Sequence, residues 1–431
     1  LAETRAIHTN NPPAGAFRGF GTPQAAIAVE ALMDALADKL GFDRLEFRLR
    51  NALHAGDTTP TGQVLQESVG IAACLEALQP RWQAARAVAA AANADPTSPL
   101  RRGVGIACMW YGCGNTSLSN PSSIRVGLRR DGQIVLFQGA VDIGQGSNTV
   151  LAQIVADAIG VDLARISLVR ADTARTLDAG KTSASRQTFV SGQAAKRAGQ
   201  ALHQSILRLV NADETAHLSF EDGSVLVRDD GIGAGGRRLD LTAMAVDSDD
   251  LVLSAEGTFD PPTTVLDADG QGEPYATYAF GAQVAEVAVD MDLGTVQVLR
   301  IVAAHDVGRA INPMLVEGQV EGGILQGLGM ALMEEFVPGR TFGLHDYLIP
   351  SIGEAPAMET ILIEDAEPLG PFGAKGVGEP ALIPTAAAIL NAIRDATGIT
   401  VHQVPATPSR LRALIRAHVA PQTTAVRAEQ P

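Results

Sequence analysis

The chain has 431 residues, 46% of them hydrophobic and only 4% aromatic, enough to bury the cores of two or three domains. Its 48 acidic and 33 basic residues leave a formal charge of −15, which disfavours non-specific nucleic-acid binding, since that relies on basic surface. No apolar run nears the roughly 18 residues of a membrane-spanning helix, residues 1–5 lack a charged-then-apolar leader, and three cysteines make neither a disulfide framework nor a four-thiolate cluster, so a reduced, cytoplasmic protein is expected.

Along the chain, Ile27, Val29, Leu32, Met33, Leu36 and Leu40 recur at helical spacing before Gly41, predicting a helix over 24–40. Residues 71–79 read as helical, with Cys74 in the core. The Ala-rich stretch 84–99 starts as helix and breaks at Asp95-Pro96-Thr97-Ser98-Pro99. Cys108 and Cys113 flank a tight Gly segment and read as buried spectators. Residues 124–128 and 133–138 alternate across Arg130-Asp131-Gly132, a hairpin signal, and a helix over 148–159 closes on Gly160. A long helix is predicted over 191–211, then loops with short strands over the polar 212–275. A second hairpin joins 284–290 to 296–303 about Asp292-Leu293-Gly294. Helices follow over 317–335 and 384–398, and the tail from Ala420 is expected to be disordered. The pattern is α+β rather than repeated βαβ, and no solenoid or propeller repeat recurs.

Five Gly-rich or small polar stretches punctuate these elements. They are Ala16-Phe17-Arg18-Gly19-Phe20-Gly21, Asp142-Ile143-Gly144-Gln145-Gly146, Thr182-Ser183-Ala184-Ser185-Arg186, residues 318–329, and Gly373-Ala374-Lys375-Gly376-Val377-Gly378-Glu379-Pro380. Two of them stand just before predicted helices, where backbone N–H groups attract anions. None matches a Walker or dinucleotide fingerprint. Together they suggest a large, phosphate-bearing organic cofactor wrapped by backbone amides, with Glu379 beside it as an acid–base group.

In order and wording these blocks resemble the C-terminal half of the molybdenum subunit of the xanthine oxidase family of molybdenum hydroxylases. The resemblance runs from Asn10 to about Leu411 and includes residues 16–24 (AFRGFGTPQ), Gly144-Gln145-Gly146, residues 182–185, His305-Asp306-Val307-Gly308 with Ile311-Asn312-Pro313, residues 317–329 and residues 376–380. It implies two elongated molybdopterin-binding domains, the first only partly present: residues 1–55, then residues 56–420, with a tail at 421–431. It also implies a molybdopterin whose dithiolene, and no protein side chain, holds the molybdenum. A glutamate matching Glu379 takes the proton from the metal-bound hydroxyl, the oxygen attacks an electron-poor carbon, and hydride passes to a sulfido ligand. Cofactor contacts carry over to Gly144, Gln145, Gly146, Thr182, Ser183, Ala184, Ser185, Gln326, Arg18 and Gly378. Phe20 resembles an aromatic that packs on a flat substrate ring. Arg186 stands where the purine enzymes have an apolar residue; a guanidinium there pairs with an extra phosphate, favouring the cytosine dinucleotide form, or else is a solvated surface arginine.

Two departures bear on substrate and assembly. Asn115 takes the place of a stacking phenylalanine, while Thr116 keeps the threonine that follows it, which argues against xanthine. The upstream Gly-rich block and purine-orienting residues of the family are absent, so an N-terminal half on another polypeptide is expected, similar to nicotinate dehydrogenase. Electrons then leave through an iron–sulfur (2Fe-2S) subunit and an FAD-bearing flavin subunit. The resulting expectation is hydroxylation of a small N-heteroaromatic substrate. Alternatives are an aldehyde oxidoreductase or aromatic thioester reductase of the same family, and a non-catalytic scaffold. Of the remaining polar residues, His305 reads as structural, Glu321 as a paired structural acid, Lys375 as covering a phosphate or solvated, and Trp110 as core.

Overall fold

The computed structural model describes residues 5–11, 15–229 and 236–419 and mixes helices with largely antiparallel strands. Helices α1 (Thr22–Leu40), α2 (Arg44–Arg50) and α3 (Ile71–Ala92) precede the long strand β1 (Leu100–Gly112). Then come β2 (Ser122–Arg129), β3 (Ile134–Gln138), α4 (Ser147–Ile159), β4 (Ile166–Arg170) and α5 (Gly192–Leu209). Short strands β5 (His217–Glu221), β6 (Ser224–Arg228) and β7 (Arg237–Asp240) lead to β8 (Leu251–Phe259), β9 (Tyr278–Asp290) and β10 (Val296–Asp306). Helix α6 (Pro313–Leu332), strand β11 (Ala357–Ile363) and helices α7 (Thr385–Thr397) and α8 (Pro408–Val419) complete the described chain.

Two four-stranded sheets carry the molecule. One runs β1-β9-β10-β11, with only the β10–β11 pair parallel; the other runs β4-β3-β2-β8. Strand β1 is covered on both faces, as its alternation requires. Val104 and Ile106 join the core under α3, and Ala107 joins the core shared with α6, α7 and α8. The second sheet packs α4 and α5 through Ile124, Val126, Leu151, Ile154, Phe189 and Leu202, all fully buried. Each such aliphatic or aromatic side chain contributes about 1.5–3 kcal/mol by leaving water. The opening helices are joined by charge: Arg48 of α2 donates to Glu30 of α1 at 2.8 Å in a buried pair.

Several expected elements differ from those observed. Residues 71–92 form one helix despite Pro80, whose ring sits on the exposed face while Cys74, Leu78 and Trp82 pack inward. The Gly segment before Cys113 is the end of β1, not a turn. The helix expected over 191–211 begins as a single π-turn, Gln187–Ser191, and becomes regular only at α5; such turns recur at functional sites. Glu321 is exposed on α6 rather than paired in the interior. The tail expected to be disordered lies outside the described residues.

Candidate active site and cofactor cradle

Strand β10 ends at Asp306, and the following residues pair with the C-terminal Gly-rich loop. Lys375 N–H donates to Val307 O at 2.9 Å, and Gly308 bridges Ala374. The next turn is pressed against residues 184–185. A Cβ added to Gly376 would stand 1.8 Å from Ser185 O, so only glycine fits. Glu379 N–H then donates to Ser185 Oγ at 2.9 Å. Its side chain, 9% exposed, accepts a hydrogen bond from the Tyr111 hydroxyl at the end of β1. Arg18 crosses from the first segment, donating through Nε to Gly378 O at 2.5 Å and through Nη2 to Gln319 Oε1 at 3.2 Å. Four chain segments thus meet around one carboxylate: Arg18-Gly19, Tyr111, residues 184–185 and the Gly-rich loop itself.

Burial is the strongest influence on Glu379 and raises its pKa. The Tyr111 hydroxyl, backbone N–H groups at Gly19 and Ala184, and the charge of Arg18 act in the opposite sense. Burial also lowers the Arg18 pKa, against the pull of Glu379. Tyr111 is pushed well up by burial and then by its bond to Glu379, so it stays protonated and remains a donor. A dry carboxylate with raised proton affinity, held by one side-chain donor and two backbone N–H groups and near one cation, is suited to accept a proton.

Beside it lies a cradle built from unusual backbone. Ala184 and Ser185 are both left-handed at φ 53°, a costly pair for non-glycine residues. Ala184 O accepts from Gly114 N at 2.8 Å, which sets Asn115 and Thr116 next to this loop. Asn115 Nδ2 donates to Asn120 Oδ1 at 3.2 Å, and the Thr116 hydroxyl meets the Tyr275 hydroxyl. Thr182 Oγ1 donates to Val141 O at 2.7 Å and accepts from Gln187 Nε2 at 2.9 Å. Gln145 is half-buried and braces its own loop, donating to Val141 O at 3.1 Å and Ser147 Oγ at 3.2 Å. Phe20 is left-handed and exposed, with its ring open to a ligand. Gln326 is half-buried on α6, two turns beyond Gln319.

Three expectations need correction. Arg186 neither faces a phosphate nor lies on the surface. It is fully buried, and its two terminal nitrogens donate to the carbonyls of Ala179, Lys181, Asn120 and Pro121. The argument for a cytosine dinucleotide falls with it. The backbone donors of Gly144 and Gly146 are taken by Asp142 Oδ1, at 2.9 and 3.2 Å, so an internal carboxylate occupies the helix start expected to hold an anion. Lys375 is also buried, in an ion pair with Asp306 at 2.5 Å and donating to Ser68 O at 3.2 Å. His305 is structural as expected. Burial lowers its pKa to about 4, and its Nε2 stands 3.2 Å from Gln283 Nε2.

Sequence reasoning missed Tyr111, Gln319 and the Asp306–Lys375 pair. Gln319 lies inside a Gly-rich block, where residue type alone could have flagged it; Lys375 stands out in the sequence, but not as the partner of Asp306, and Tyr111 flanks the Asn115-Thr116 segment with no local sign of its bond to Glu379.

Two molybdopterin cofactor-binding domain families match the chain, one over residues 76–356 and one over residues 2–52. The chain belongs to the xanthine oxidase family of molybdenum-binding large subunits. Over 428 residues it is 34% identical to a putative xanthine dehydrogenase molybdenum-binding subunit of Escherichia coli strain K12, covering 95% of this chain and 54% of that one. It superposes on aldehyde oxidoreductase from Desulfovibrio gigas with a TM-score of 0.79 at 32% identity, covering 93% of this chain and 42% of the other. Quinoline 2-oxidoreductase from Pseudomonas putida 86 gives the same TM-score at 28% identity, with 94% and 53% covered. The chain spans about half the length of the curated relatives it matches.

The residues present fit the cofactor of this large-subunit family. Gln145, Thr188, Asn312 and Gln319 stand together beside Val377, two residues from Glu379. Among the described residues, Ser183 Oγ and Asn120 Nδ2, both by the loop of residues 182–186, are two of the buried side-chain atoms without a hydrogen-bond partner, which is costly unless a ligand completes them.

Proposed function

We propose that this chain is the molybdenum-cofactor-binding part of a hydroxylase that inserts a water-derived oxygen at an electron-poor carbon of an N-heteroaromatic substrate. The observation that carries this reading is Glu379, a carboxylate 9% exposed where four chain segments converge. When bound, the molybdopterin supplies the Lewis acid and the acceptor of the substrate's hydride. Glu379 supplies the proton acceptor, and its burial tunes it towards working pH. Arg18 fixes the Gly378 carbonyl and with it the approach of Glu379. Gln145, Gln326, Thr182, Ser183, Ala184 and Ser185 would hold the pterin and its phosphate, Gln145 by exchanging amide bonds that it makes within its own loop. Gly144 and Gly146 allow the Gln145 turn. Phe20 covers the substrate ring, and Asn115 with Thr116 offers it polar partners in place of a second stacking face.

Support for a heteroaromatic ring also comes from relatives named nicotine 6-hydroxylase large subunit and nicotinate hydroxylase, each 30% identical over 429 residues. An aldehyde oxidoreductase, 33% identical over 424 residues, supports the second reading, aldehyde oxidation. On either reading, residues 1–55 complete a first cofactor domain and residues 56–420 form the second. The exposed apolar row Val29, Leu32, Leu36 and Leu40 on α1 supports docking of the remaining molybdenum-subunit half. Partner subunits bearing 2Fe-2S and FAD carry the electrons away. Free thiols at Cys74, Cys108 and Cys113 support a reducing, cytoplasmic setting.

The test is Glu379→Gln in the native complex. Turnover on an N-heteroaromatic panel should fall by about 10²-fold or more while molybdenum and pterin content stays at the wild-type level. Undiminished turnover would sink the assignment of the base.

A further inference from the structure

Tyr111 lies near the C-terminal end of β1, still in the ladder opposite Ala279 and 8% exposed. Its ring packs with Met109 and Ile383, so the phenol is fixed by a strand and a core contact. Glu379, by contrast, sits on a Gly-rich loop. Among the described residues, the Tyr111 hydroxyl is the one side-chain donor to the Glu379 carboxylate. The other groups favouring its charged form are backbone N–H groups and the charge of Arg18.

We propose that Tyr111 is a positioning residue for Glu379: its hydroxyl holds the carboxylate in one orientation and in the ionised state in which it accepts a proton. This rests on Glu379 being the base. A hydrogen bond to an ionised acceptor is stronger than one to the neutral acid, so the Tyr111 hydroxyl opposes the effect of burial. The charged and titratable groups facing the pair are Arg18, Cys113 and Tyr275. Burial pushes the Cys113 thiol up to about 12, away from the range in which Glu379 titrates.

The experiment compares wild-type complex with Tyr111→Phe, at matched molybdenum content, by two readouts. One is the acid limb of kcat/KM against pH. The other is the pH titration of the Glu379 carboxyl band in infrared difference spectra, assigned by its loss in Glu379→Gln. Both should move up by about one pH unit, the size of one charge-assisted hydrogen bond. Replacing Tyr111 with 3,5-difluorotyrosine, a stronger donor of nearly the same shape, should move both down, and this variant decides the matter if Tyr111→Phe does not fold. A band and limb that stay at the wild-type pH in both variants overturn the proposal. If Glu379→Gln still turns over, the base reading fails separately, and the infrared shift alone then decides the coupling.

Discussion

Burial raises the Glu379 pKa above that of an unfolded glutamate, so its contribution favours folding in acid and is lost as pH rises through the folded value. Near neutral pH the charged form therefore opposes folding. Glu379→Gln should leave the calorimetric Tm at neutral pH equal to or above wild type, with the difference shrinking in acid. A lower Tm at neutral pH would mean that the bonds to Tyr111 and the backbone outweigh burial. Gly376→Ala should do the reverse. Its Cβ meets a backbone oxygen at 1.8 Å, so about 3 kcal/mol of stability and molybdenum retention should be lost, read by denaturant unfolding and metal analysis. The place of Glu379 in a tight Gly-rich loop was legible because its signal is local, a carboxylate among glycines before Pro380. Tyr111 was not, because its partner lies 268 residues away. For the same reason Lys375, 69 residues from Asp306, could be placed in the interior only once the two strands' ends were known.

Among the elements, those with a local stop signal were readable. Helices α4 and α7 end on Gly160 and Gly398, both left-handed. Strand β1 was not readable, because Gly103 and Gly105 look like turn residues and are instead where α7 rests on the strand. A Cβ on Gly105 would stand 2.2 Å from Ala388 O and from Ala392 N. Helix α3 was split in expectation because Pro80 signals a break, although its missing N–H is tolerated on the solvent side. The β1–α7 contact also reaches the site, since α7 starts at Thr385 just after the Glu379-Pro380 turn and Tyr111 rides on β1. Gly105→Val should therefore lower Tm by several degrees and reduce turnover together, whereas an exposed substitution elsewhere on α7 should change neither.

At the scale of the whole molecule, His305 acts opposite to Glu379 and makes acid destabilising at its own site. His305 is 1% exposed and its pKa is lowered to about 4 from 6.5, so it is neutral when folded. A depressed histidine costs stability as pH falls below its unfolded value, because only the unfolded chain takes up the proton easily. The loss between those values is about 3 kcal/mol, and His305→Gln should flatten that part of the urea-unfolding profile. Arg186 has a different consequence at this scale. One guanidinium joins carbonyls at residues 120–121 to those at 179 and 181, so we expect these loops to open together with the second sheet rather than as separate flaps. Amide hydrogens there, such as those of Ser123 and Val190, should exchange only on global unfolding. An Arg186→Lys variant cannot span the same carbonyls, and it should turn slow, cooperative exchange into fast local opening while leaving exchange in the first sheet unchanged.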